Sequence, residues 1–440
     1  MKIPPQLPPP RRKRAKDAAQ AVKRVDSLTL QAVTSETLSE LLGLPGMRVS
    51  RFALEEEGEE QYLHLFCEHE HDVAICPRCM QVASGSHDQE DRCVRHLDVW
   101  GMKTLVHFAQ RRFDCEVCGQ PFTENLEWIE AKRRQTSAFE THIYQSVKHK
   151  TPRKQVALQE GLSEATVLDI FKRQARRAVR QVDAGQVHTL GVDEIAVRQG
   201  HQQYALVLSD LARRRVMAVL PDRLKETFET WLDALTEEDR RAIQVVSMDM
   251  WEAYRQAVRH RLPHAKIVAD RFHVMKQLNH QIDLMRRSIQ SKAKQAGNEA
   301  VYQALKGNRW LLLKNRRELT PEQEAQLAVM LDISHELRTM YLLKEEFRTI
   351  CDKITHRPKA QRFLWAWTAK ALSTGSRYLM RFVQTLRNWW HEFLNYFDER
   401  VTQGFVEGAN RAIRGIIQRA FGFRNFDNFR LQVLVECGGV

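Results

Sequence analysis

Three short apolar runs each end in an aspartate: HTLGVDEIAV carries Asp193, IQVVSMDM carries Asp249 and AKIVADRFHV carries Asp270. Carboxylates at the exposed ends of neighbouring strands can hold magnesium, a hard ion that takes oxygen ligands and keeps some of its waters. Two such ions, roughly 3.5–4 Å apart, activate an attacking oxygen and stabilise a leaving one, which is phosphodiester chemistry. A third carboxylate usually completes a site of this kind. The candidate is Glu407 in TQGFVEGANRAIRGIIQRAFGF. Helical spacing there groups Glu407, Arg411, Arg414 and Gln418 on one face and Val406, Ala409, Ile413, Ile416 and Ala420 on another. One face packs, and the other can meet metal and DNA.

The cysteines point to a second kind of metal site. CPRC (Cys76, Cys79) and CEVC (Cys115, Cys118) have the spacing of two zinc knuckles, in which four thiolates surround a tetrahedral ion at about 2.3 Å. The competing reading is reduced free thiols, and Cys67 and Cys93 lie outside both knuckles. His87, His96 and His107 are expected to be ordinary strand or loop residues. The N-terminus lacks a hydrophobic signal region and no apolar segment approaches the ~20 residues of a membrane span, so a cytoplasmic location is expected. In a reducing compartment, metal binding outranks disulfides for the eight cysteines.

These residues need elements to position them. From His188 the pattern reads strand, strand, strand, helix, strand, helix, strand, with a hairpin turn at Gly200 and a crossing helix in PDRLKETFETWLDALTEEDRRAI. That is the order of an RNase H-like mixed sheet, in which the first and fourth strands lie side by side and Asp193 meets Asp249. Glu194 points to the opposite face of a regular strand and is left outside the site. After Asp249, MWEAYRQAVRHRL reads as a helix, where Trp251 and Tyr254 either pack or stack on an unpaired base. His273 either orients a nearby acid or is a satisfied structural histidine.

At 440 residues the chain holds several domains. Residues 1–34 begin as a basic tail, with eight Lys or Arg against Asp17 in the first 25 residues, expected to be largely disordered. It either solubilises the chain or grips phosphates. Residues 35–130 form the zinc-ribbon domain, with a short helix and an acidic-turned hairpin before the knuckles; Arg111 and Arg112 give it a basic character. Residues 131–183 read as a helix-turn-helix: Thr151 caps, Pro152 opens the first helix, Gly161 closes it and Ser163 caps the second. Val156, Leu162, Val167 and Ile170 form its core, and Glu164, Thr166, Asp169, Lys172 or Arg173 face a major groove. An ordinary helical hairpin is the alternative. The catalytic core occupies 184–282 and a C-terminal helix in 401–440. Between them, 283–400 is an all-helical insertion, with Trp310, Trp365, Trp367, Trp389 and Trp390 mostly in its core. The formal charge of +13 and a pI near 9.4 favour a polyanionic partner.

GVDEIAVRQGHQQYALVLSDL, VVSMDMWEAYRQAVRHRLPHAKIVADRFHVMKQLN and GFVEGANRAIR closely resemble the DDE transposases of bacterial insertion sequences, specifically the ISL-three family. The likeness runs from about Leu41 to Glu436. It implies a catalytic triad of Asp193, Asp249 and Glu407 on two Mg2+ or Mn2+ ions, beside a structural Zn2+. Asp270, in the family's D-R-F-H-V motif, would be an accessory acid or alternative ligand, with His273 beside it. The implied partners are the element's terminal inverted repeats and target DNA, contacted by Arg153, Lys154, Thr166, Lys172, Arg173, Arg411 and Arg414. A homodimer or larger synaptic complex, nucleoid-associated and without a membrane, is expected. The rival readings are a transposase-derived DNA-binding regulator without catalysis and an RNase H-like nuclease without strand transfer.

Overall fold

The computed structural model of the chain describes residues 34–181, 186–198, 203–401 and 404–439, so residues 1–33 of the expected tail and the Gly200 turn lie outside the described residues. The described residues divide into two compact units, one within Met1–Val147 and Gln159–Phe171, the other within Lys148–Leu158 and Lys172–Val440.

In the first unit α1 (Ser35–Leu42) starts on Thr34, whose hydroxyl accepts from the Thr37 N–H, and stops at Gly43, left-handed at φ 56°. The expected hairpin follows as β1 (Met47–Glu57) and β2 (Glu60–His69), turning between Glu57 and Glu60. β3 (Val73–Ile75) and β4 (Val82–Ser84) form an antiparallel ribbon around the first knuckle. β5 (Ser86–Arg95), β6 (Lys103–Asp114) and β7 (Pro121–Thr123) complete a sheet ordered β1-β2-β6-β5, with β7 on β6. Period-2 burial along β6 sends Thr104, Val106 and Phe108 inward, where the apolar ones join Leu63, Leu65, Val94 and Trp128.

Three helices come next: α2 (Ser137–Lys148), α3 (Arg153–Glu160) and α4 (Glu164–Gln181). α3 and α4 are joined by the three-residue turn Gly161–Ser163, with Gly161 left-handed at φ 68°. The Ser163 hydroxyl caps α4 by accepting from the Thr166 N–H at 3.1 Å. α3 opens one residue later than expected, because the Pro152 carbonyl takes the first helical bond, from the Val156 N–H at 3.0 Å. Val156, Val167 and Ile170 are buried as expected, and Leu162 is half-buried.

The second unit contains β8 (Thr189–Arg198), β9 (Gln203–Asp210), β10 (Arg215–Leu220), α5 (Lys225–Asp233), α6 (Glu237–Ala242), β11 (Val245–Met248), α7 (Glu252–Arg261) and β12 (Lys266–Ala269). Its sheet has the order β10-β9-β8-β11-β12. β8, β9 and β10 run antiparallel, while β11 is parallel to both β8 and β12. This is the expected RNase H-like topology. Met248 pairs with Val192 on one side and Ala269 on the other, so the next residue of each strand is an aspartate: Asp249, Asp193 and Asp270. Alternation on β8 splits its two faces. Leu190 and Val192 pack with α5 and α7 through Phe228, Leu232 and Val258, whereas Ile195 faces the opposite core. Gly191 allows close packing, since a Cβ there would stand 2.7 Å from Leu211 Cδ2 and that side chain would have to shift.

From Asp270 onward the chain is helical: α8 (Arg271–Gln295), α9 (Glu299–Leu305), α10 (Arg309–Leu313), a 3-10 turn at Arg316–Glu318, α11 (Pro321–Asp332), α12 (His335–Lys353), α13 (Arg357–Ser373), α14 (Arg377–Asn388) and α15 (Trp390–Glu399). Their core holds Phe347, Trp367, Phe382, Trp389 and Phe393 and reaches β12 at Val268 and Ala269. Trp310 and Trp365 depart from the expected core placement, at 39% and 52% exposure. Both lie on the outer sides of α10 and α13, away from the buried Leu311, Leu312, Leu364 and Trp367. α8 runs unbroken past residue 283, so one rigid element carries the chain out of the acid-bearing sheet. The C-terminal segment forms two helices rather than one, α16 (Gly404–Arg419) and α17 (Phe426–Cys437). They cover the sheet through Ala409, Ile413, Ile416, Phe429 and Val433. Among the described residues, no helix is long and apolar enough to cross a membrane.

Candidate active site and metal centres

Strand register and one helix start build the acidic site. Asp193, Asp249 and His273 each offer an atom within a group no wider than 4.8 Å. His273 stands in the first turn of α8, where its Nδ1 lies 2.5 Å from Asp249 Oδ1 and 3.2 Å from Asp270 Oδ2. Asp270 is buried at 3% exposure and lines the same cleft while contacting this imidazole. Asp193 Oδ1 accepts from the Glu194 N–H at 2.7 Å, and its Oδ2 accepts from Asn410 Nδ2 at 2.6 Å. Asn410 belongs to α16, one turn beyond Glu407.

Glu407 lines the same cleft as these acids, a space of about 740 Å³ that also meets Phe272, Asn279 and Arg414. Its side chain is 60% exposed and paired with Arg411 at 3.5 Å. The third acid thus faces the cleft but stands outside the close group of Asp193, Asp249 and His273. α16 behaves as its spacing predicts, burying Val406, Ala409, Ile413 and Ile416 and exposing Glu407, Arg411, Arg414 and Gln418. Ala420 lies beyond the helix end and is half-buried.

Burial raises the Asp193 carboxyl to about 6, and the Asp249 charge adds to the rise against the Glu194 N–H, His273 and Asn410. Burial pulls His273 down, but its contacts with Asp249 and Asp270 outweigh this and leave it raised, at about 9. Asn410 Oδ1 is buried without a hydrogen-bond donor, and Asp249 Oδ1 meets the His273 imidazole. Carboxylate and amide oxygens gathered in one cleft are hard donors, so the set fits a hard divalent ion.

The cysteine site is closed by comparison. Cys76 Sγ lies 3.7 Å from Cys118 Sγ, and Cys79 Sγ lies 3.4 Å from Cys115 Sγ. Those separations approach the ~3.8 Å edge of a tetrahedron with 2.3 Å Zn–S bonds and are far beyond a disulfide bond. The knuckles match in backbone: Met80 N donates to Cys76 O at 2.9 Å and Gly119 N to Cys115 O at 2.7 Å, both residues left-handed. Cys79 and Arg78 N–H groups lower the Cys76 thiol to about 6, and Cys115 is lowered chiefly by the Cys118 N–H. The expected histidines stay out of the shell. His96 is buried against Thr136 at 2.9 Å, His107 contacts His64 at 2.9 Å and His87 pairs with Asp114 at 3.2 Å.

The basic residues divide between surface and scaffold. Arg111 is buried, held by Glu124 at 2.9 Å and by the His71 carbonyl at 2.9 Å, so it cannot serve as the exposed basic group expected before the second knuckle; Arg112 is exposed. Asp169 pairs with Arg133 at 2.8 Å and the Thr166 hydroxyl meets Ser163 at 2.8 Å. Lys154 is exposed, while Arg153 is half-buried with its guanidinium 5.8 Å from the Phe423 centroid. Lys172 and Arg173 are half-buried, and Lys172 lines a basic cavity with Arg176, Arg180 and Arg430.

Two features escaped sequence reasoning. Asn410 is a polar residue on the apolar stripe of α16, and that breach of periodicity was its available signal. Glu194, excluded from the site by alternation, does take the other face of β8, yet it also lines the cleft. Its carboxylate accepts from Tyr254 Oη at 2.8 Å and from Arg223 at 3.4 Å.

A family model described as "Transposase", the DDE domain of the ISL3 group, matches residues 190–433. The helix-turn-helix domain of transposase family ISL3 matches 124–175, and the zinc-finger of transposase IS204/IS1001/IS1096/IS1165 matches 72–118. The transposase for insertion sequence element IS1001 of Bordetella parapertussis is 30% identical over 83% of this chain and 89% of its own length. The transposase for IS1557 of Mycobacterium tuberculosis is 27% identical over 54% of this chain and 57% of its own.

Proposed function

The chain belongs to the ISL3 family and is a DNA transposase, and from that premise we propose that Asp193, Asp249 and Glu407 are its catalytic acids. The observation that carries this is the register: Val192 and Met248 are paired, so Asp193, within β8, and Asp249, just past the end of β11, come side by side in the cleft that Glu407 also lines. Divalent ions of the magnesium class, when bound, activate the attacking oxygen and stabilise the leaving one. Asp193 and Asp249 would hold them, with Glu407 swinging in from the mouth once Arg411 releases it to a phosphate. Asp270 is an accessory acid that acts through His273, fixing the imidazole that orients Asp249. Arg414, on the cleft wall, offsets backbone charge at the scissile phosphate.

In the first step water oxygen bonds to phosphorus and the 3′ oxygen leaves, taking a proton to become a 3′-hydroxyl. In the second, that hydroxyl oxygen bonds to a target phosphorus, and the target's 3′ oxygen leaves protonated. One phosphodiester replaces another, so the joining step needs no ATP and no covalent enzyme intermediate. The helix-turn-helix and the zinc-bearing unit would bind the terminal inverted repeats, with Lys154, Lys172 and Arg173 on phosphates and Thr166 at a groove. Zinc on Cys76, Cys79, Cys115 and Cys118 is structural. Two ends must be processed together, which calls for a dimer or larger assembly acting on the nucleoid in the cytoplasm. The domain divisions at residues 35, 131, 184 and 401 complete this reading, and the one at 283 falls within α8, which the core and the insertion share.

The test is cleavage and joining by the full chain with magnesium on two-ended DNA from the borders of its own coding locus, beside Asp249→Asn and Glu407→Gln. Nicks at the repeat boundary and joined products, absent from both variants, are the expected result. Specific binding with no cleavage would assign a regulator, and cleavage without joining a nuclease.

A further inference from the structure

Beside the acids stands an aromatic and cationic surface that the cutting chemistry does not use. Trp251 follows Asp249 by two residues, is 45% exposed, and its backbone N–H donates to the Asp249 carbonyl at 2.8 Å, so the indole is tied to the acid's own loop. Its side chain makes no capping bond to α7. The Arg223 guanidinium lies over two rings, 4.6 Å from the Tyr204 centroid and 5.6 Å from that of Trp251. Arg223 is pinned from behind by Glu194 at 3.4 Å, and Glu194 in turn by the hydroxyl of fully buried Tyr254 at 2.8 Å. The group is therefore anchored, while the indole presents an open face. Tyr204 lines both the acidic cleft and a neighbouring cavity of about 600 Å³, where Arg223, Arg424, Phe423 and Phe426 add further cationic and aromatic walls.

A planar π-faced ligand attached to a polyanion fits this set: the face stacks on indole and guanidinium, and the cations meet its phosphate. The DNA strand in the cleft carries such ligands. We propose that Trp251, supported by Arg223 and Tyr204, is a stacking platform for one unpaired base of the strand being cut, displaced from its duplex next to the scissile phosphate. This rests on the assignment of the cleft to DNA cleavage. Extruding a base loses its pairing and stacking, which stacking on the platform offsets, and the strand beside the phosphate is held open for the acids.

The experiment measures cleavage rates on border DNA, intact and with a single abasic site at each position flanking the cut. Wild type is compared with Trp251→Ala, Trp251→Leu and Trp251→Phe, with Asp249→Asn as control. On intact DNA, Trp251→Ala and Trp251→Leu should lose roughly tenfold to a hundredfold, the scale of base–aromatic stacking, while Trp251→Phe keeps most of the rate. At one abasic position the gap between wild type and Trp251→Leu should close. Leu retains apolar bulk without a π face, so the comparison stands even where Ala lowers the melting temperature. A Trp251→Leu rate equal to wild type on intact DNA, or the same fractional loss at every abasic position, would overturn the platform. If Asp249→Asn still cuts, the cleft assignment has failed; if it is dead while Trp251→Leu is unaffected, only the platform has.

Discussion

The chain holds two sites suited to metal, and they are built in opposite ways. The cysteine site comes from two matching local turns, each with a left-handed residue closing onto the first cysteine of its pair. Four sulfurs fill a tetrahedron and leave no room for a substrate. The acidic site is assembled from β8, β11, the start of α8 and the first turns of α16, elements far apart in sequence, and it opens onto a cleft. A shell completed by the protein stabilises; one left incomplete leaves positions for water and phosphate. Softness separates the two further, since thiolates select zinc and carboxylates select magnesium or manganese.

Stripping zinc gives the largest effect that could break this contrast. Structural zinc in small domains contributes on the order of 10–16 kcal/mol, so Cys79→Ser or a strong chelator should unfold the knuckle-bearing unit, seen as new proteolysis around residues 72–118. The second unit should keep its melting transition; loss of both together would show that the zinc site supports more than its own unit.

Asp249→Asn tests the open site. Cleavage should fall by ~10³-fold or more, a loss of several kcal/mol of transition-state stabilisation, with zinc content and melting unchanged. Zinc loss in this variant, measured by metal analysis, would contradict the independence of the sites.

Asn410→Ala probes how the open site is held. Removing the 2.6 Å bond to Asp193 should weaken Mn2+ binding by about 10- to 100-fold, the usual scale for groups that orient metal ligands. Titration of the metal itself reads this, and unchanged affinity would reduce Asn410 to packing.

The smallest expected effect is with pH. With its carboxyl raised from 3.8 to about 6, Asp193 binds its proton more tightly folded than unfolded. Without metal, stability therefore declines as pH rises from ~4 to ~6 and is constant in this respect above. A metal must displace that proton, so cleavage at limiting magnesium should fall as pH drops through about 6. A profile flat from pH 5 to 8 would remove Asp193 from the ligand set.

Much of this was legible because it is periodic or local. The knuckle spacing, the three aspartate-ended runs and the two faces of α16 follow from geometry that repeats every two or 3.6 residues. The same geometry placed Glu194 on the opposite face of β8 from Asp193. Misreadings arose where a residue's surroundings come from elsewhere. Arg111 looked like an exposed basic group until Glu124 closed over it, and Trp310 and Trp365 looked like core until their helices turned them outward.

By itself, then, the sequence determined the candidate acids and cysteines and which face of its element each takes, since alternation, helical period and cysteine spacing are properties of a short stretch of chain. It misplaced Asp193 at a strand end, because β8 continues to Arg198 by pairing with β9. Only the tertiary structure decided their company: that Trp251 is open while Tyr254 is buried, that His273 bridges Asp249 and Asp270, that Asn410 reaches Asp193, and that Glu407 lines the cleft exposed and paired with Arg411. Those outcomes depend on strand register and helix docking between distant segments, where a shift of one residue would bring a different atom into the site.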